Sequence, residues 1–102
     1  MADRFRLTLA QLNPTLGDLD GNAARARAAW EEGKRAGADM VALPEMFIPG
    51  YNPQDLVLRP AFQSAVIETV ERLARDCADG PALGVGGLWL EGTQLHNAWF
   101  VL

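Results

Sequence analysis

A chain of 102 residues, 49% hydrophobic and 22% charged, is long enough for one compact domain with a buried core. A formal net charge of −4 argues against nucleic acid as a partner, because its binders concentrate positive charge to release phosphate counterions. One cysteine and one histidine leave this chain neither a disulfide framework nor a metal site of its own, and its apolar runs fall well short of the roughly 20 residues of a membrane span.

With no long apolar leader at the start, a cytoplasmic location is the expectation. Phe5–Leu12 alternates apolar and polar residues and stops at Asn13-Pro14, which predicts a first, buried strand. Asp20 is the expected N-cap of a helix running to Gly37, a residue suited to a left-handed stop. Ala23, Ala26 and Trp30 give that helix a narrow packing stripe. Asp39–Leu43 is a short apolar run between Gly37 and Pro44, an interior strand by its length. The order β-α-β then implies a parallel pair with a right-handed crossover.

Three prolines and a glycine within Pro44–Pro53 exclude a long regular element and predict an ordered loop at a strand end. Pro60 suits the first turn of a second helix, which Gly80-Pro81 ends. Phe62, Val66, Val70, Leu73 and Cys77 recur at intervals of three or four and mark its buried face. Residues 82–90 and 95–102 read as two strands of a hairpin joined through Glu91–Gln94. The last strand reaches Leu102 without a cap or polar tail, so the fold is expected to continue in further chain that covers its edge.

Reactive groups in open α/β sheets gather at the carboxyl ends of strands, and Glu45 stands there, after a buried strand and inside a proline-stiffened loop. Partial desolvation at that place would raise its pKa and suit it to general-base work. A purely structural role, accepting backbone N–H bonds in the loop, fits the position equally well. Cys77 falls on an apolar helix stripe, whereas a nucleophilic thiolate needs an exposed, electropositive setting; it is read as core. Lys34, the one lysine, sits near Glu32 on a solvated helix face. His96 reads as a half-buried, hydrogen-bonded strand residue and Phe47 as core, and Asp55 and Arg59 are expected to pair. The glycines of Gly84–Gly87 form no complete nucleotide fingerprint and are expected to permit close packing or a bulge.

The segment LPEMFIPGYNPQDLVLRP resembles the nitrilase superfamily of carbon–nitrogen hydrolases, in which a strand-end Pro-Glu is followed by an aromatic residue and a Gly-Tyr. The opening LTLAQLNPTLGDLDGN is similar to the same family's first strand and loop. Asp55-Leu56 with Arg59-Pro60, and LHNA before a final apolar run, are similar to one subgroup, the glutaminase domain of glutamine-dependent NAD synthetases. Met46 and Asn52 stand where leucine and proline are more usual, and His96 where tyrosine is.

The resemblance implies an α/β fold, the nitrilase-like α-β-β-α sandwich, with residues 1–102 giving its first part as β-α-β-α-β-β. It implies a Glu-Lys-Cys triad in which the cysteine attacks the amide carbon, the glutamate is general base and the lysine steadies the oxyanion. Glu45 matches the glutamate. Tyr51, at the Gly-Tyr position, would border the substrate pocket or pack the loop onto the sheet. The lysine and cysteine would lie beyond Leu102, so residues 1–102 alone would be inactive. The longer, homo-oligomeric parent would take ammonia from glutamine and use ATP and Mg in a separate domain to amidate nicotinic acid adenine dinucleotide. Two other readings remain at this point: part of a different nitrilase-type amidase, or a small non-catalytic binding or assembly module.

Overall fold

The structure, a computed structural model, describes residues 3–102. In chain order it contains β1 (Leu7–Leu9), α1 (Leu19–Arg35), β2 (Met40–Ala42), a 3₁₀ turn (Gln54–Leu58), α2 (Pro60–Asp76), β3 (Ala82–Glu91) and β4 (Gln94–Val101). The strands form one sheet in the order β1-β2-β3-β4; the first three are parallel and β4 runs antiparallel to β3. Thr8, Val41 and Leu83 lie side by side across the parallel strands, which places their side chains on one face.

Both helices cover that face. α1 approaches through Gly33, where a Cβ would overlap Val41 Cγ2, and buries Ala26 and Trp30. The Trp30 indole donates to the carbonyl of Pro81 at 2.8 Å. α2 starts at Pro60, whose missing N–H costs nothing in a first turn, and contributes Val66, Val70 and Leu73 to the same core. Pro44 and Gly80-Pro81 interrupt the pattern where expected, so the two crossovers place α1 and α2 on one side, as right-handed connections require.

Two details differ from the sequence reading. The cap of α1 is Asp18, whose carboxylate accepts from Gly21 N at 3.1 Å, while Asp20 sits in the first turn and favours the helix dipole from there. Gly17, at φ 76, turns the chain early enough for Asp18 to reach that place. The first strand is shorter than Phe5–Leu12 and is not buried: Leu7 is 48% and Leu9 66% exposed. Its period of two is real, but Thr8 faces α1 and the leucines face the other side, which no helix covers.

β3 and β4 form the expected hairpin. Glu91 pairs with Gln94 across the two-residue turn Gly92-Thr93, and Gly92 supplies the positive φ, 63°, that such a tight turn asks of its first central residue.

Candidate active site

The uncovered face of the sheet carries the candidate site, and the loop after β2 builds it. Leu43 N donates to Gly84 O at 2.8 Å and Ile48 N to Gly86 O at 3.1 Å, so the chain leaves β3 after Leu43 and rejoins it at Ile48. The excursion between them presents Glu45. Gly86 makes room for it, because a Cβ there would overlap Met46 N and stand 2.7 Å from the Glu45 carbonyl carbon. Met46 takes φ 53, a left-handed conformation that side chains other than glycine adopt at a cost of about 1 kcal/mol. The bond from Gly50 N to Met46 O, 3.0 Å, closes the turn.

Buried contacts hold this loop in place. Phe47 and Ile48 are fully buried, as the core reading of Phe47 expected. Asn22, a fully buried polar residue of α1, donates through Nδ2 to Ile48 O at 2.9 Å and Thr15 O at 2.8 Å, and accepts from Thr15 N at 2.8 Å. Gly17 N donates to Pro49 O at 2.9 Å. The loop bearing Glu45 and the loop after β1 are thereby tied to each other and to α1.

β4 meets the same site from the other direction. Asn97 Nδ2 donates to Glu45 Oε2 at 3.0 Å, and Trp99 Nε1 donates to Leu43 O at 2.9 Å. The Trp99 ring crosses Gly84, where a Cβ would overlap it. The β3–β4 register is one-to-one throughout, so Gly84 and Gly86 serve close packing, with no bulge and no nucleotide loop.

Glu45 and Tyr51 line one cleft of about 540 Å³ with Gln11, Asn13 and Pro14. Tyr51 is 63% exposed, so its ring borders the cleft and does not pack the loop onto the sheet. Arg25 donates to Asn13 O and steadies the opposite rim. Glu45 is exposed, which departs from the partial desolvation expected for it: the helices exclude water only from the other face. Its carboxylate accepts no backbone N–H among the described residues, so the loop-capping alternative has no geometric support.

The other polar candidates lie away from this cleft. Cys77 is buried beneath α2 on the helix side, and desolvation, reinforced by Asp76, pushes its thiol up to about 11. That is the opposite of a nucleophile's setting. Lys34 lies 5.1 Å from the centre of the Trp30 ring and 3.6 Å from Asp79, on the exposed side of α1. His96 is exposed, not half-buried, because it lies near the hairpin's free end, opposite Trp89, and the helices do not reach it. Asp55 and Arg59 make no ion pair with each other; the first sits in the 3₁₀ turn and the second is extended at its end.

A second cleft, about 210 Å³, lies between α1 and α2, but its charges answer one another: Arg27 pairs with Asp76 at 2.9 Å and Arg72 with Asp20 at 3.8 Å. Among the described residues no three His, Cys, Asp or Glu side chains cluster as metal ligands, and no helix is long and apolar enough to cross a membrane. Sequence reasoning passed over Asn22, Asn97 and Trp99. The last two had a readable signal, since they share the parity of Gly84 and Gly86 once the hairpin turn is placed.

Residues 6–102 match the family model for carbon-nitrogen hydrolases. The chain belongs to the carbon-nitrogen hydrolase family. Over all 102 residues it is 58% identical to a glutamine-dependent NAD(+) synthetase of Rhodobacter capsulatus, of which it spans 18%. A glutamine-dependent NAD(+) synthetase of Thermotoga maritima is 52% identical over 59 residues, which are 58% of this chain and 10% of that one. Among solved structures, a glutamine-dependent NAD(+) synthetase from Cytophaga hutchinsonii superposes with a TM-score of 0.88 at 28% identity, over 96% of this chain and 17% of the other. An amidase from Nesterenkonia sp. has the same fold, with a TM-score of 0.71 at 24% identity over 91% of this chain and 38% of that one. The carbon-nitrogen hydrolase fold expected from LPEMFIPGY is therefore the fold of the chain, and residues 3–102 contribute its β-α-β-α-β-β portion.

Proposed function

We propose that residues 1–102 are the front part of a glutaminase domain in a glutamine-dependent NAD synthetase, with Glu45 as the general base of amide hydrolysis. The observation that carries this reading is Glu45, whose backbone is seated over Gly86 just beyond the carboxyl end of β2 and which lines a cleft with Tyr51. An exposed carboxylate beside an open cleft can take a proton from a cysteine thiol placed against it, and the resulting thiolate attacks the amide carbon of glutamine. That cysteine, and the lysine that steadies the oxyanion, come from elsewhere in the same domain. Cys77 and Lys34 lie on the helix side, away from the cleft.

Tyr51 borders the substrate. The ammonia released passes to a separate synthetase domain, where ATP and Mg serve the amidation of nicotinic acid adenine dinucleotide. A homo-oligomer and a cytoplasmic setting complete the proposal, the latter in keeping with one free cysteine.

The test uses a full-length synthetase in which residues 1–102 replace the matching stretch of the Rhodobacter capsulatus relative. Glu45→Gln is expected to lower glutamine-dependent NAD formation by roughly 100- to 10,000-fold, the usual contribution of a general base, while ammonia-dependent formation stays intact. Equal loss of both activities would overturn the proposal. Ammonia release from residues 1–102 alone that Glu45→Ala abolishes would overturn the placement of the cysteine and lysine elsewhere in the domain.

A further inference from the structure

We infer that Asn97 is a positioning residue for the general base: it holds one oxygen of Glu45 so that the other is free to move the proton. The inference rests on the role proposed above for Glu45 and adds a second residue to it.

Asn97 and Glu45 are 52 residues apart, and the bond between them exists only because β4 folds back along β3. β4 contacts the end of β2 at two matched points. Trp99 reaches Leu43, and two residues along the same face Asn97 reaches Glu45, itself two residues beyond Leu43. Gly84 and Gly86 keep the intervening strand bare, so that the indole ring and the loop backbone both lie across it. The unbroken β3–β4 register fixes where β4 stands beside the end of β2, and so where the Asn97 amide can point.

The chemistry of the pair suits the task. An ionised carboxylate only accepts, so the Asn97 side chain must present its NH₂ to Oε2. A glutamate side chain has three rotatable bonds, and in an exposed place it samples many rotamers. One directed donor narrows that range without neutralising the charge, as a lysine or arginine there would tend to do. Oε1 has no donor among the described residues, which leaves it as the oxygen that takes the proton.

In the full-length protein described above, Asn97→Leu is expected to lower the glutamine-dependent kcat tenfold to a hundredfold, about the cost of misplacing a catalytic group by the order of an ångström. KM for glutamine and the ammonia-dependent rate should stay within about twofold, since substrate binding and the synthetase step are untouched. Asn97→Asp keeps the shape but replaces the donor by a like charge, so it should lose at least as much. Asn97→Gln keeps the donor and should recover part of the loss. In the Glu45→Gln background, Asn97→Leu should cost nothing further, because residues acting as one unit are not additive.

An Asn97→Asp enzyme as active as its parent, losses that multiply with Glu45→Gln, or equal loss of glutamine- and ammonia-dependent rates would each overturn the inference. If Glu45→Gln leaves glutamine use intact, the role of Glu45 falls and this one with it. A crippled Glu45→Gln enzyme beside an unimpaired Asn97→Leu enzyme sinks the Asn97 inference alone.

Discussion

The same strands make both faces of the sheet, and the two faces are used in opposite ways. Toward the helices, Val41, Leu83 and Val85 interlock with Ala26, Val66 and Leu73, and water is excluded. On the reverse, β3 presents Gly84 and Gly86, and what crosses them is the Trp99 indole ring and the backbone of the Glu45 loop. Between Leu83 and Gly86, parity along β3 thus decides whether a residue packs against the helices or faces the candidate site. The contrast also explains why leucine and valine alternate with glycine over residues 83–86 of β3: one side needs volume and the other needs its absence.

The sharpest way to break this contrast is to truncate one leucine on each face. Leu83→Ala, on the covered side, should lower stability by about 3 kcal/mol, the usual cost of a buried leucine and the cavity it leaves. The measurement is urea unfolding of the 102-residue chain, and a loss as small as that of a surface site would contradict the assignment of the core. Asn22→Ala should cost about 2 kcal/mol, because Ile48 O and both backbone groups of Thr15 lose their side-chain partner, all three in buried or half-buried surroundings. Protease cleavage within residues 44–53 should speed up in that variant.

Gly86→Ala should cost about 1–2 kcal/mol by overpacking, and it should displace the backbone of Glu45 and Met46. In the full-length synthetase proposed above, the glutamine-dependent rate of this variant is therefore expected to fall, whereas Leu83→Ala should alter stability alone. Cys77 tests the dryness of the covered face through pH. Its folded thiol is raised from the ordinary 9.0 to about 11, so the folded chain keeps a proton that the unfolded chain gives up. The associated stability is complete below pH 9.0 and is lost as pH rises toward about 11. Cys77→Ala should flatten that decline relative to the parent. The smallest effect belongs to Leu9→Ala on the open face, within about 0.5 kcal/mol for so exposed a side chain.

Local signals in the sequence were read well because they depend on neighbours. Pro60 starts α2, Gly92-Thr93 turns the hairpin, and the prolines of the Glu45 loop interrupt regular structure where they stand. The fold and the position of Glu45 were legible for that reason, together with the family's LPEMFIPGY pattern. Facts that depend on which face lies outward were not. The alternation in Phe5–Leu12 has the right period, yet its leucines face the uncovered side, since the sense of an alternation is set by where the helices land. Asn22 looks like any polar residue in a helix's first turn until the loops it joins are brought against it. Asn97 acquires its partner, 52 residues earlier, only when the hairpin lays β4 beside β3.

The two-residue turn at Gly92-Thr93 lies at the far end of the hairpin from Glu45, yet it keeps the site's timing. Adding one residue there would slide β4 by one position against β3 and rotate every side chain beyond the turn to the opposite side. His96 and Ala98 would then take the places of Asn97 and Trp99. Glu45 would keep its own loop and lose both of its neighbours through a change that touches neither.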